Sequence, residues 1–354
     1  MSWLTNDDDD DGDYAEYDES AAKVRPNPKG NKPRSKNRPE HADAVSGRVF
    51  SVDRGRYGVW VDENTPEERQ IVATKARELG KTSLDRAADG KVSVVTGDWV
   101  DLVGDVTGDE GSLARIVRIQ PRSTLLRRSA DDTDAVERII VANADQMLIV
   151  VAAKDPEPRP RLVDRYLVAA FDAGITPLLC ITKTDLADPT EFLANFAGLD
   201  ITIFRSRSDD FPLEEIRAAL QGHTTVAVGH SGVGKSTLVN ALVPEANRAT
   251  GRVNDVTGRG RHTSSSTVSY RIGSGWIVDT PGVRSFGLGH VDPANILRSF
   301  TDLAAIAEDC PRGCTHLPDS PDCAMIERVN AGELGEIGKL RLDSFQRLIT
   351  TLGS

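Results

Sequence analysis

Long apolar runs are missing from this 354-residue chain: no stretch of about eighteen consecutive apolar residues occurs, which excludes a hydrophobic transmembrane helix of the usual kind. A secretory signal needs a basic and then an apolar start, and the first residues supply neither, since Asp7 to Asp11 stand there instead. Cysteine is scarce. Four occur, three of them between Cys310 and Cys323, a distribution unlike the framework of a disulfide-stapled secreted domain. These absences predict a soluble, cytoplasmic protein with no membrane partner, in which the clustered thiols hold a metal. Excess positive charge is lacking too, and a net charge of −11 taken alone argues against a nucleic-acid partner. That charge is concentrated, however: residues 1–20 hold nine acids and no base, and removing them takes the balance from −11 to −2. The remainder is nearly neutral and can carry a local basic face.

The length suits two or three domains. Residues 1–44 join the acidic run to a Lys/Arg/Pro-rich segment through Lys23, Arg25, Lys29, Lys32, Arg34, Lys36 and Arg38, with too little apolar surface to offset ordering entropy. This reads as a disordered tail, either a solubilising arm or one whose basic half touches RNA. Residues 45–120 hold short alternating runs, among them Tyr57 to Val61, Val92 to Val95, Trp99 to Val103 and Leu113 to Val117, separated by Gly, Asp and Asn turns. Short strands so spaced predict a small β-barrel, and an OB-fold of about five strands fits the length. A small barrel without a ligand fits the same pattern. Residues 121–290 change character: apolar strands such as Met147 to Ala153, Pro177 to Ile181 and Val226 to Gly229 alternate with amphipathic helices, clearest at Leu162, Val163, Tyr166, Leu167 and Ala170. That alternation predicts an α/β sheet covered on both faces, with Cys180 in its core. Residues 291–354 are mostly helical around the cysteine cluster and form a third, C-terminal domain.

Gly229-His-Ser-Gly-Val-Gly-Lys-Ser236 matches the phosphate-loop pattern G-x-x-x-x-G-K-[ST], follows an apolar strand and opens a helix at Thr237. Gly232 and Gly234 let backbone N–H groups converge on phosphate oxygens, Lys235 reaches the β- and γ-phosphates, and Ser236 ligates Mg²⁺. Asp279-Thr-Pro-Gly282 ends another strand, so that Asp279 supports the Mg²⁺ shell and the Gly282 N–H senses the γ-phosphate. Thr182-Lys183-Thr-Asp185 reads the base: a carboxylate accepts from guanine N1–H and the N2 amine together, whereas adenine offers neither donor. Thr182 replaces the more usual Asn, and the Lys183 stem packs over the purine. Asp185 precedes Lys235, which precedes Asp279, so the motifs of a GTP-binding P-loop protein run in circularly permuted order. Neighbouring strands, not chain order, define such a site.

This combination resembles the RsgA family, circularly permuted GTPases that act on the small ribosomal subunit. The resemblance spans about residues 45–345 and rests on Ala142 to Gln146, Asp164-Arg-Tyr166, Thr182 to Asp185, Gly229 to Thr237, Gly258 to Thr263, Asp279 to Gly282 and the Cys/His cluster. It implies an OB-fold, a permuted P-loop GTPase domain and a zinc-binding domain. It further implies late maturation of the 30S subunit, contact with 16S rRNA, and GTP hydrolysis that the subunit stimulates, after which the protein dissociates. The expected GTP-binding set is Thr182, Lys183, Asp185, Ser206, Gly229, His230, Ser231, Gly232, Val233, Gly234, Lys235, Ser236, Thr237, Asp279 and Gly282. By the same resemblance Thr263 contacts Mg²⁺ and the γ-phosphate. His262 positions the attacking water, because Val283 stands where Ras-like enzymes have glutamine.

Cys310, Cys314, His316 and Cys323 supply three thiols and an imidazole, a set suited to tetrahedral Zn²⁺. Their intervals, C-x₃-C-x-H-x₆-C, differ by one residue at each end from the family's C-x₄-C-x-H-x₅-C, with the total span kept. Arg69, Lys75, Arg77, Lys81, Arg86, Lys91, Arg122, Arg127 and Arg128 are candidate rRNA phosphate contacts, interrupted by acids. Three functions compete: a monomeric regulatory GTPase of the 30S subunit, a nucleotide-gated RNA-binding module with incidental hydrolysis, and a P-loop enzyme phosphorylating a small molecule. Asp185 and the barrel argue against the third, since a metabolite kinase needs neither.

Overall fold

Alternation of apolar and polar residues in short strands builds the first part of the fold. The computed structural model describes residues 41–77, 79, 93–129, 137–244, 267–280, 286 and 288–353. Strands β1 (Val45–Asp53), β2 (Arg56–Val61), β3 (Arg69–Lys75), β4 (Trp99–Gly104) and β5 (Ala114–Ile119) form a ring in the order β1-β2-β3-β5-β4, closed by a β1–β4 ladder. The β3–β5 pairing is parallel and the rest are antiparallel. Val49, Val59, Val61, Ile71, Val100, Leu102 and Ile116 fill the interior. Closure removes the sheet edges that an open meander would expose.

The run Val92 to Val95 differs from its expected strand. Among its described residues Ser93 to Val95 carry no ladder, and pairing is limited to an isolated Thr96–Val141 bridge. The reason is local: the Asp98 carboxylate accepts the Val95 N–H at 2.8 Å, and Gly97 turns the chain at φ +91° against the Ala142 carbonyl. A side chain thus satisfies the donor that a neighbouring strand would have taken. Arg122 is also corrected. Rather than facing RNA, it is buried in a fork on Asp98, Nε to Oδ1 at 2.7 Å and Nη2 to Oδ2 at 2.8 Å, with Nη2 also donating to the Ser93 carbonyl.

A two-stranded ribbon, β6 (Leu125–Ser129) and β7 (Glu137–Ala142), leads into the second part. There β8 (Gln146–Ala152), β9 (Thr176–Thr182), β10 (Thr202–Arg205), β11 (Thr224–Gly229), β12 (Val268–Ile272) and β13 (Gly275–Asp279) lie in the order β10-β9-β8-β11-β13-β12. All pair in parallel except β12, which is antiparallel to β13. Strand β8 is buried along its whole length, as a parallel strand covered on both faces must be. Helices α1 (Pro160–Asp172) and α2 (Thr190–Ala194) belong to one face, and α3 (Leu213–Leu220) and α4 (Lys235–Leu242) cover the other.

Helices α5 (Pro293–Leu297), α6 (Thr301–Ala307), α7 (Ala324–Asn330) and α8 (Gly335–Thr350) do not form a core of their own. Phe300, Leu303, Met325, Phe345 and Leu348 share one apolar cluster with Met147, Tyr166 and Leu167 of the sheet and α1. Asp292 starts α5 by accepting the Ala294 N–H at 2.9 Å, a cap worth about 1 kcal/mol. The family motif Asp164-Arg-Tyr166 serves this packing: Asp164 meets Arg347 of α8 at 3.2 Å, Arg165 reaches the Phe286 carbonyl, and Tyr166 packs edge-on to Phe286.

Barrel and sheet share a ladder. Ser51 of β1 pairs with Val268 of β12, which pairs with Asp279 of β13. Beside it the Arg48 guanidinium lies between Trp99 and Trp276, 5.8 and 5.2 Å from their ring centres, and donates to Thr224 Oγ1.

Candidate nucleotide site

Three motifs distant in sequence finish at one edge of the sheet. Thr182 closes β9, Gly229 closes β11 and Asp279 closes β13; β8 separates β9 from β11, and β11 adjoins β13. The crevice at the carboxyl ends of parallel strands is where open α/β sheets bind ligands. Gly232 and Gly234 take φ values of +84° and +91°, which an L side chain resists, so the loop can turn its N–H groups inward. A Cβ on Gly229 would lie 2.6 Å from the Val150 carbonyl oxygen, so the loop starts in close contact with β8. Lys235 and Ser236 open α4, whose free N–H groups add favourable charge for an anion. Lys235 Nζ pairs directly with Asp279, both largely shielded from solvent. His230, Ser231, Val233 and Thr237 complete the loop and first helical turn, with the Val233 side chain turned into the core.

The segment Thr182 to Asp185 is fastened to the loop that follows β11. Thr182 Oγ1 donates to the Val233 carbonyl at 2.5 Å, so the threonine that replaces asparagine still ties the two motifs together. Lys183, at φ +56°, sends Nζ to the carbonyls of Gly232, at 2.9 Å, and Asp155. Asp185 is exposed, and its carboxylate accepts from the backbone N–H and hydroxyl of Ser208. What little burial it has pushes its pKa upward, but the Ser208 donors and the Arg207 charge outweigh that and hold it below the usual carboxylate range. Ser206 is buried, and its hydroxyl donates to the carbonyls of Arg207 and Asp210 in its own loop. Sequence reading missed Ser208, which no GTPase motif marks. His262, Thr263, Gly282 and Val283 lie outside the described residues.

The four cysteine-cluster ligands do come together. One donor atom from each of Cys310, Cys314, His316 and Cys323 lies within 4.8 Å of the others. Cys310 and Cys323 sulfurs are 3.9 Å apart, and Cys323 Sγ is 3.8 Å from His316 Nδ1. Thiolates about 2.3 Å from a tetrahedral zinc stand about 3.8 Å apart, so the set fits that ion through Nδ1. Burial lowers the His316 pKa, favouring the neutral imidazole that ligates, and Gln346 fixes its carbonyl at 2.8 Å. We expect about one zinc per chain in protein purified without chelator, and a clear loss of it in Cys314→Ser; metal-free protein in elemental analysis would refute the assignment.

Of the candidate rRNA contacts, Lys75 and Arg77 are exposed, Arg127 and Arg128 are half-buried on β6, and Arg69 is engaged with Asp62 at 2.5 Å. Lys81, Arg86 and Lys91 lie outside the described residues. No described helix is long and apolar enough to cross a membrane.

Comparison with known proteins agrees with this geometry. The RsgA GTPase family matches residues 119–289. The chain is 35% identical over 289 residues to the small ribosomal subunit biogenesis GTPase RsgA of Pseudomonas aeruginosa, covering 75% of this chain and 81% of that protein. It is 36% identical over 272 residues to the small ribosomal subunit biogenesis GTPase RsgA 1 of Vibrio vulnificus, covering 74% and 75%. Two crystal structures share the fold: YjeQ from Thermotoga maritima, TM-score 0.62 at 24% identity over 88% of this chain and 99% of that one, and YloQ, a circularly permuted GTPase, TM-score 0.61 at 24% identity over 89% and 98%. With a curated relative at this identity over most of both chains, this protein belongs to the RsgA family of GTPases, which hydrolyse GTP.

Proposed function

We propose that this GTPase acts on the small ribosomal subunit in the cytoplasm, as a monomer that binds the 30S particle and its 16S rRNA in the GTP form and leaves after hydrolysis. One observation carries the reading: the base-reading strand and the phosphate loop are joined by the Thr182–Val233 hydrogen bond, although a different chain order is needed to bring them there. The names of the relatives, small ribosomal subunit biogenesis GTPases, supply the partner. The chain divides into a tail (1–44), an OB-fold RNA-binding domain (45–120), a GTPase domain (121–290) and a zinc-binding C-terminal region (291–354).

In this reading Asp185 accepts the two donors of guanine while Lys183 lies along the base. Lys235 holds the β- and γ-phosphates, with loop N–H groups from Gly229 to Thr237 around them. The oxygens of Ser236 and Asp279, joined by Thr263, form an oxygen-only donor set that suits Mg²⁺, which offsets phosphate charge when bound. Gly282 senses the γ-phosphate, and His262 orients the water that attacks it.

The experiment is GTP turnover with and without purified 30S subunits. Turnover is expected to rise with subunit concentration and saturate. Turnover that ignores the subunit would leave a nucleotide-gated RNA-binding module as the better description.

A further inference from the structure

The Asp185 carboxylate is met by a residue from a loop that ordinary motif reading passes over. Ser208 donates its backbone N–H to Oδ1 at 2.6 Å, and its hydroxyl oxygen lies 3.0 Å from Oδ1 and 2.9 Å from Oδ2. A point equidistant from both oxygens lies on the plane bisecting the carboxylate. With the lone pairs in the carboxylate plane, the favourable position on it is the fork where a bidentate partner brings its two hydrogens. Guanine needs that fork, because N1–H and the N2 amine address the two oxygens together.

The backbone around Ser208 is tied down on both sides. The Ser206 N–H donates to the Ile181 carbonyl at 2.8 Å, and the Ser206 carbonyl accepts from the N–H and hydroxyl of Thr184 at 3.0 and 3.1 Å. The Arg207 N–H donates to the Asp210 carbonyl at 2.9 Å. The loop therefore cannot drift away as a unit without breaking these bonds. The Ser208 hydroxyl, by contrast, leaves the carboxylate by one χ1 rotation, a step available to any exposed side chain on fast timescales. Its backbone N–H stays on Oδ1 meanwhile and keeps the carboxylate oriented.

We propose that Ser208 sets the affinity for guanine nucleotides by competing with the base for Asp185. The inference rests on Asp185 as the base-reading residue. The hydroxyl occupies the fork, guanine displaces it, and part of the gain from the new pair of hydrogen bonds is spent on the one that is lost. Because both side chains are exposed, water compensates for much of the loss, and the effect is a few-fold rather than a hundred-fold. Adenine presents no donor pair at this edge, so it does not take the fork.

The test titrates GDP and ADP into the full-length protein and into Ser208→Ala and Ser208→Thr by isothermal calorimetry. Ser208→Ala is expected to bind GDP about three- to fivefold more tightly, by losing one hydrogen bond that competes, with ADP binding unchanged. Ser208→Thr keeps the hydroxyl and is expected to match the unaltered protein. Unchanged or weaker GDP binding by Ser208→Ala overturns the inference, and so does an equal gain for ADP. If the unaltered protein binds no GDP, the guanine reading itself falls and takes this inference with it, an outcome distinct from GDP binding that Ser208→Ala leaves unimproved.

Discussion

Lys235→Ala is expected to weaken GTP binding by about 100-fold or more and to lower turnover with it. Two losses combine. The ammonium no longer meets the phosphates, and each hydrogen bond to a charged group contributes about 1.5–3 kcal/mol. The Asp279 carboxylate, now without its partner, also repels the incoming triphosphate. Two such bonds amount to roughly 3–6 kcal/mol, and about 1.4 kcal/mol is tenfold in affinity. Alanine is a strong helix former, so the first turn of α4 persists and the effect belongs to the site, not to folding. Equilibrium titration with GTP, alongside a melting curve, checks this; affinity within threefold of the unaltered protein would show that Lys235 does not hold phosphate.

Arg122→Ala is expected to have the largest effect on stability. Its guanidinium and the Asp98 carboxylate are 2% and 0% exposed and meet through two parallel hydrogen bonds. Removing the arginine leaves a carboxylate sealed from water that keeps the Val95 N–H but loses the two guanidinium hydrogen bonds. Breaking such a pair costs about 3–5 kcal/mol. For a chain of this size that corresponds to a Tm lower by roughly 5–8 °C. The paired change Arg122→Met with Asp98→Leu is expected to recover much of the loss, since apolar replacement of a buried ion pair is often neutral. A melting temperature for Arg122→Ala within about 2 °C of the unaltered protein would contradict this reading.

The legible parts of the fold were those written locally. Strand β8 is a continuous apolar run, α1 has a helical stripe, and Gly229 to Ser236 states its own turn, because glycines and a strand-to-helix junction are short-range features. The Cys/His cluster was legible too, since three thiols and an imidazole within fourteen positions suit a metal, and the fold brings one donor atom of each within 4.8 Å of the others. What stayed hidden depends on residues far apart in the chain. Arg122 looks like any loop arginine until Asp98 is seen beneath it, 24 positions earlier. Ser208 is an unremarkable serine until its loop folds over Asp185, 23 positions away. The C-terminal helices were legible as helices, but not the surface they bury against, a core begun by α1. Amphipathic periodicity says that a helix has a buried side, but not which surface buries it.

The strand order of the second part bears on how the chain can assemble while it is still being made. Strand β8 emerges first, β9 and then β10 add outward from one of its sides, and β11 adds to the other. Strands β12 and β13, joined by the short turn at Gly273 and Ser274, can then dock as a preformed hairpin with β13 against the open side of β11. No step requires a late strand to be threaded between two that are already paired, so N-to-C synthesis and sheet growth proceed in the same direction.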